Sequence, residues 1–218
     1  MVFQLTEEIG FPDPRLGEPD GLFAVGGDLS LDRLILAYSY GIFPWFAWRQ
    51  GQIQWFCPMK RFVIFPGEIH VSHSMRTLLR KEKYTVSINK DFPQVIRCCS
   101  TVDSRDENEY AWLGEDMIQA YTRLHEKGFA ASVEVWEDER LVGGLYGVTI
   151  GRGFIGESMF SLVPNGSKVA LIYLAAFLHS NGGSIIDCQI ENPYLKSMGG
   201  RYIDYDRYLK LLHGERRA

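Results

Sequence analysis

Residues 129–161 read FAASVEVWEDERLVGGLYGVTIGRGFIGESMFS. Three apolar-rich runs in this stretch are separated by short turns at 137–139 and 151–153. Runs of this length joined by tight polar or glycine turns are typical of consecutive antiparallel strands. The stretch therefore predicts a three-stranded meander at the centre of the fold.

Helices and further strands surround the predicted meander. A helix is expected at 168–183 with Ser167 as its N-cap, followed by a strand at 184–190. The other expected elements are strands at 62–65 and 84–88 and helices at 75–82, 91–99, 115–128, 193–198 and 205–212. This order predicts an α+β fold in which helices cover a mixed, mostly antiparallel sheet.

The first sixty residues differ from the rest, because prolines and glycines cluster near their start. Ser30 is the expected N-cap of a helix at 31–40, and IFPWFAW at 42–48 crowds aromatic side chains together. A segment this small does not close a core alone. We expect a small N-terminal domain at 1–61 packed on a larger domain at 62–218.

Composition excludes several classes of protein. The 218 residues carry 23 Lys+Arg against 27 Asp+Glu, a net charge of -4, and 46% are hydrophobic, which does not fit disorder. Apolar runs stay short of the ~20 residues of a membrane span, and acids at the start do not fit a signal peptide. We expect a soluble, cytoplasmic protein without membrane contact, and a monomer by default.

Metal and disulfide sites are not expected. The four cysteines show no CxxC spacing, and the only close histidine pair, His70 and His73, has no third ligand nearby in sequence. We expect reduced thiols, no metal and no cofactor.

Charge is unevenly distributed along the chain. Residues 60–90 carry seven basic residues against two acidic ones, whereas 103–116 carry six acidic residues against one arginine. A basic stretch can bind the phosphates of a nucleic acid or can form an ordinary solvated face, and charge alone leaves both readings open.

Three polar residues lie where chemistry is expected. Glu157 sits in the third strand of the meander among apolar residues, so it needs either an internal salt bridge or a bound ammonium group. Asp187 and Gln189 alternate with apolar residues, which places both on one sheet face. They would either orient a reacting amine or cap the strand end.

Some motifs are excluded by their context. GRGFIG at 151–156 matches GxGxxG but continues as a strand, so a dinucleotide site is not expected. NGSK at 165–168 lacks the upstream glycine of a P-loop. A covalent acyl-enzyme is also disfavoured, because no Ser-His-Asp or Cys-His pattern with a recognisable elbow is present.

Six segments, in order, resemble the leucyl/phenylalanyl-tRNA–protein transferase family. They are GLFAVGGDLS (21–30), YSYGIFPWF (38–46), LVGGLYGV (141–148), FIGESMFS (154–161), NGSKVAL (165–171) and IDCQIENPYLKSMGG (186–200). The resemblance covers roughly 3–212 and implies a small N-terminal domain packed on a GNAT-like acyltransferase domain with a splayed central strand. It implies transfer of Leu or Phe, and Met if the pocket tolerates it, from aminoacyl-tRNA to proteins with N-terminal Arg or Lys, marking them for degradation by the N-end rule.

The resemblance also implies roles for individual residues. Glu157 would bind the donor α-amino group, and Asp187 with Gln189 would act at the incoming α-amine, so these three would form the catalytic group. The donor side chain would occupy an apolar pocket lined by Leu145, Phe154, Met159, Leu171, Leu174, Leu178 and Ile186. The tRNA would be held at its terminal adenosine by Tyr38, Trp45, Trp112 and Tyr121, and at its phosphates by Arg76, Arg80, Lys81 and Lys83.

Other hypotheses remain beside this one. A GNAT-like enzyme using acyl-CoA would need a pyrophosphate-binding loop, which 165–168 does not supply. A non-catalytic tRNA-binding module would make Glu157 and Asp187 merely structural. Separately, the acidic residues of 103–116 could attract the basic N-terminus of an acceptor protein.

Overall fold

The structure, a computed structural model, describes residues 1–45, 52–103 and 113–214. The strands are β1 (Phe3–Leu5), β2 (Leu22–Gly26), β3 (Phe43–Pro44), β4 (Gln54–Phe56), β5 (Lys60–Ile64), β6 (Thr85–Ile88), β7 (Ala130–Glu137), β8 (Arg140–Ile150), β9 (Gly153–Ser161), β10 (Ile185–Asp187) and β11 (Arg201–Asp204). The α-helices are α1 (Leu31–Ser39), α2 (His73–Arg80), α3 (Phe92–Asp103), α4 (Glu115–Glu126), α5 (Gly166–Ser180), α6 (Pro193–Ser197) and α7 (Tyr205–His213).

A seven-stranded mixed sheet forms the centre of the molecule, in the order β11-β5-β10-β9-β8-β7-β6. The predicted meander is its middle, because β7, β8 and β9 pair antiparallel in sequence order. Helix α5 then carries the chain to β10, which pairs parallel to β9, and β5 closes antiparallel against β10. The α+β class with a mixed, mostly antiparallel sheet expected from the sequence is confirmed.

Apolar side chains pack on both faces of this sheet. One face is covered by α1, α3, α4 and α7, and the other by α2, α5 and α6. Alternation along the strands explains the division, since Ile185 packs with the first group of helices and Ile186 with the second. Among the described residues, no helix is long and apolar enough to cross a membrane.

The N-terminal segment contributes a second sheet, in the order β1-β2-β4-β3. Its buried Phe23 and Trp55 belong to the same apolar cluster as residues of the central sheet, so the two parts share a core. Strand β5 begins at Lys60 and already pairs in the central sheet. The division at 61/62 stays a prediction.

A β-bulge places the most unusual carboxylate of the sheet. Tyr146 of β8 pairs with Ser158, and the next residue, Gly147, pairs with Gly156, so Glu157 has no partner opposite it. Bulges of this kind bend a strand and redirect a side chain. The parallel pairing of β9 with β10 ends just before, at Ile155 and Asp187, and Asp187 is also the last residue of β10.

Two local predictions were wrong. Helix α5 begins at Gly166 rather than after Ser167, because the chain enters the helix through Asn165 in the left-handed region, at φ 70°. Ser161 takes the expected capping role, since its hydroxyl oxygen accepts the Ser167 N–H at 3.1 Å. In addition, β10 ends at Asp187, so Gln189 lies in a turn and not on the strand.

Two other helices begin at or next to the positions expected for them. Asp91 caps α3, with its carboxylate accepting the Gln94 N–H at 3.0 Å. Ser30 occupies the N-cap position of α1 but makes no side-chain capping bond.

We predict that Gly147→Ala destabilises the fold by about 1–3 kcal/mol. An added Cβ would lie 2.2 Å from the Ile155 carbonyl oxygen, so the bulge must shift to accept it. Urea unfolding followed by circular dichroism measures the change. Gly10→Ala is the matched control, because a Cβ there has no atom within 4 Å, and equal losses for the two variants would contradict the steric argument.

Candidate functional site

Glu157 is held by a group of polar side chains from three distant parts of the chain. The Tyr38 hydroxyl donates to its Oε1 at 2.8 Å and the Tyr121 hydroxyl to its Oε2 at 2.8 Å. The side-chain amide of Gln189 donates to Oε1 at 3.2 Å. No lysine or arginine of the described residues forms a salt bridge with this carboxylate, so the internal ion pair considered from the sequence is not found there.

The number of protons in this cluster favours a protonated, uncharged Glu157. The two tyrosine hydroxyl oxygens lie only 2.6 Å apart, which is hydrogen-bond distance. Two phenolic protons cannot occupy three short oxygen–oxygen contacts. A protonated Glu157 would supply the third proton by donating to one of the tyrosine oxygens. Desolvation acts in the same direction and raises the pKa of Glu157 to about 7, against the lowering effect of the tyrosine hydrogen bonds.

Asp187 is neutralised by an arginine inside the protein. Arg61 donates from Nε to Oδ1 at 3.1 Å and from Nη2 to Oδ2 at 2.7 Å, and both side chains have zero exposure. This two-bond geometry is the strong form of an arginine–carboxylate pair. Arg61 was counted within the basic stretch of the sequence, but its charge is buried and does not contribute to a surface.

Gln189 is presented on a tight turn directly after β10. Its φ is 60°, and a hydrogen bond of 2.6 Å from the Ile190 N–H to the Cys188 carbonyl spans it. Its own backbone N–H donates to Asp187 Oδ1 at 2.8 Å. A non-glycine residue in the left-handed backbone region is strained, so the surrounding contacts must hold it in place.

A cavity of about 310 Å³ opens beside Glu157 and Gln189. Six of the seven residues predicted to surround the donor side chain line it, namely Leu145, Phe154, Met159, Leu171, Leu174 and Ile186. Leu178 does not, because it lies further along α5, beside Gly183. Sequence reasoning missed Tyr146, Ser158, Cys188, Asn192 and Leu195. These residues complete the described lining together with Gly156 and with the predicted catalytic residues Glu157, Asp187 and Gln189.

The aromatic residues predicted to bind adenosine fall into two groups. Tyr38 and Tyr121 have zero exposure, so their rings offer no face to a base in this structure, and their hydroxyls serve Glu157 instead. Trp45 is partly exposed and packs edge-on against Phe56, with ring centres 5.3 Å apart. Trp112 lies outside the described residues, as does most of the acidic stretch 103–116.

The predicted phosphate-binding residues lie together on and just after α2. Arg76, Arg80, Lys81 and Lys83 are all exposed. Lys83 pairs with Glu137 at 3.0 Å, and Arg76 donates through Nε to the Val71 carbonyl at 3.1 Å. Helix α2 covers the same sheet face as α5, whose leucines line the cavity. In the described residues, no group of three or more metal-ligating side chains is present.

Comparison with known proteins identifies the family. The model of the leucyl/phenylalanyl-tRNA protein transferase domain matches residues 63–213, and the model of the N-terminal domain of the same proteins matches 27–59. A leucyl/phenylalanyl-tRNA–protein transferase of Syntrophobacter fumaroxidans is 49% identical over 97% of this chain and 89% of its own. That of Flavobacterium psychrophilum is 48% identical over 95% of this chain and 98% of its own.

The chain belongs to the leucyl/phenylalanyl-tRNA–protein transferase family.

Members of this family are aminoacyltransferases, so the cavity and its polar rim belong to an enzyme. Among solved structures, that of L-PGS from Bacillus licheniformis aligns with 78% of this chain and 54% of its own, with a TM-score of 0.45 and 13% identity.

For this transferase family member, the geometry shows how Asp187 is held. Its side chain is buried and both of its oxygens accept hydrogen bonds, from Arg61 and from the Gln189 N–H. These contacts orient the turn that carries Gln189. Asp187 also lines the cavity, as do Glu157 and Gln189, and its role at the incoming amine stays a prediction.

We predict that Glu157→Gln changes how stability depends on pH. Desolvation raises the pKa of Glu157 in the folded state from its ordinary value of 4.5 to about 7, so between these values the folded chain binds more protons than the unfolded chain. Stability then falls as pH rises through this window, and Gln removes that fall. Urea unfolding should be measured from acid to mildly alkaline pH. The free energy of unfolding of the variant should rise relative to that of the unaltered protein as pH increases. The same pH dependence for both proteins would contradict the raised pKa.

Proposed function

We propose that this protein transfers Leu or Phe, and Met at a lower rate, from aminoacyl-tRNA to the α-amino group of proteins that begin with Arg or Lys. Supporting this is one juxtaposition: an apolar cavity lies directly against a half-buried carboxylate that has no cation partner among the described residues, and against a side-chain amide. The product would carry a signal for N-end-rule degradation. We further propose that the enzyme works as a cytoplasmic monomer.

The donor amino acid would enter this cavity with its side chain among the leucines. Leu171, Leu174 and Leu195 supply the apolar walls, and Phe154 with Ile186 extends them along the sheet. A hydrophobic pocket separates side chains that differ by one methylene by only ~1–3 kcal/mol, which fits acceptance of several apolar amino acids.

The donor ammonium would bind Glu157. Its positive charge favours the ionised carboxylate and so lowers the pKa that desolvation has raised. The cluster releases its extra proton as the donor binds. The ammonium group of the substrate then provides the cation partner that Glu157 does not have among the described residues.

The acceptor amine would be positioned by Gln189. Because Nε2 of this side chain donates to Glu157, its oxygen is the atom left to accept a hydrogen bond from the incoming amine. The amine nitrogen forms a bond to the ester carbonyl carbon and the ester carbon–oxygen bond breaks. The amine proton ends on the ribose hydroxyl of the departing tRNA. An aminoacyl ester is already activated, so correct orientation supplies much of the required rate.

The tRNA would be bound mainly through its backbone and its last base. Trp45 and Trp112 are assigned to the terminal adenosine, where stacking contributes ~1–3 kcal/mol without reading sequence. Arg76, Arg80, Lys81 and Lys83 are assigned to acceptor-stem phosphates.

We predict that purified protein moves radiolabelled Leu from Leu-tRNA into a peptide with N-terminal Arg and not into one with N-terminal Ala. Glu157→Gln should reduce the rate about 10–100-fold, the loss expected when a hydrogen-bonded ion contact becomes neutral. Glu139→Gln, in the distant turn between β7 and β8, is the control and should stay within about twofold.

The same assay separates the alternatives. Tight tRNA binding without any transfer would favour a binding module, and transfer from radiolabelled acetyl-CoA would favour an acyl-CoA enzyme. Either result would overturn the proposed reaction.

We predict that replacing Arg76, Arg80 and Lys81 together with Gln weakens tRNA binding and flattens its salt dependence. Each lost phosphate contact should reduce the slope of log K against log salt by ~0.7–0.9. Filter binding at several salt concentrations measures the slope. Lys210→Gln, an exposed lysine of α7 on the opposite sheet face, should leave it unchanged.

A further inference from the structure

We infer that Arg61 is a positioning residue of the transfer reaction, fixing the place of Gln189 relative to Glu157. The inference rests on the proposed function and extends it to a side chain that does not contact substrate. The inference rests on the contacts of one buried guanidinium. These contacts connect the turn that carries Gln189 with the end of α1, which carries Tyr38.

The first of these two parts is the Gln189 turn. Arg61 fixes both oxygens of Asp187, and Asp187 Oδ1 in turn accepts the Gln189 N–H at 2.8 Å. Strand β5 holds the same turn through its backbone, since the Phe62 N–H donates to the Gln189 carbonyl at 3.3 Å. Arg61 and Phe62 are neighbours, so a single strand position sets the turn through two routes.

The second part is the end of α1, which carries Tyr38. Arg61 Nη1 donates to the carbonyl oxygen of Gly41, three residues after Tyr38. The Tyr38 hydroxyl then reaches Glu157 Oε1, the same oxygen that accepts the Gln189 amide. One guanidinium thus fixes the backbone behind two of the three donors to Glu157.

The guanidinium itself has little freedom to move. Its Cζ lies 5.0 Å from the centre of the Phe43 ring and 4.7 Å from that of Tyr208. The pair with Asp187 raises the pKa of Arg61 despite the opposing effect of desolvation, so the group stays charged. A planar cation held between two rings with three fixed acceptors is suited to alignment, and lysine cannot reproduce this fork.

The test is Arg61→Lys, which keeps the charge and loses the two-bond geometry. We expect kcat for transfer to the N-terminal Arg peptide to fall at least about tenfold, because small misplacements of reacting groups are costly. The KM for Leu-tRNA should stay within about threefold, since Arg61 contacts neither the apolar walls of the cavity nor α2. Arg33→Lys is the matched control, because Arg33 is equally buried and lies in α1 with contacts to the carbonyls of Thr6, Glu7 and Glu8. Its kcat should stay within about twofold.

A double-mutant cycle distinguishes alignment from general damage. If Arg61 acts through Asp187, Arg61→Lys combined with Asp187→Asn should lower kcat little more than the worse single variant. The inference would be overturned if kcat of the double variant fell by the product of the two single losses. It would also be overturned if kcat of Arg61→Lys were unchanged. If Arg61→Lys does not fold, Tyr208→Leu removes one ring beside the guanidinium and should lower kcat with KM retained. An unchanged kcat there would count against the inference in the same way.

Hydrogen exchange gives a reading that does not depend on activity. The Gln189 amide should be protected in the unaltered protein and exchange at least about tenfold faster in Arg61→Lys, but not in Arg33→Lys. Unchanged protection would overturn the positioning role even if the protein had another activity. Failure of transfer by the unaltered protein, with the exchange result as expected, would instead reject the proposed function alone.

Discussion

Glu157 and Asp187 both line the cavity where the pairing of β9 with β10 ends. Asp187 is fully buried and Glu157 is half-buried, and the loss of water around them makes both carboxylates costly to keep ionised. The protein treats them differently. Asp187 receives an internal cation and a backbone N–H, whereas Glu157 receives only neutral donors from the described residues. The first solution gives a permanent part of the framework. The second leaves a carboxyl group whose charge depends on what occupies the neighbouring cavity.

The backbone makes this difference possible. The bulge in β9 gives Glu157 no partner across the sheet and turns it toward the tyrosines, and the cavity lies where the pairing of β9 with β10 ends at Ile155 and Asp187. The leucines that line the cavity belong to the apolar layer on the α5 face of the sheet. Helix α5 and the short helix α6 close the cavity from one side.

Local pattern was sufficient to predict the middle of the fold. The turns at 137–139 and 151–153 are set by a few polar and glycine residues, and β7, β8 and β9 appeared as expected. The tertiary features were harder. Alternation of apolar residues continued through SIIDCQI, so it could not show that the strand stops at Asp187 and turns at Gln189.

Side-chain environment was the least predictable from sequence. Helical spacing puts Leu171, Leu174 and Leu178 on one face but cannot show where a cavity ends, and Leu195 comes from another helix. The charge of Arg61 gave no sign that it is buried. The family resemblance predicted that Tyr38 and Tyr121 lie near the substrate. Only the three-dimensional structure shows that their hydroxyls bind Glu157.

The polar cluster also bears on how the chain matures. Tyr38 is 119 residues from Glu157, and Arg61 is 126 residues from Asp187. Contacts of such long range form late and slowly, because a large loop must close before any of them stabilises the chain. A growing polypeptide therefore cannot assemble this cluster until residue 189 has been synthesised.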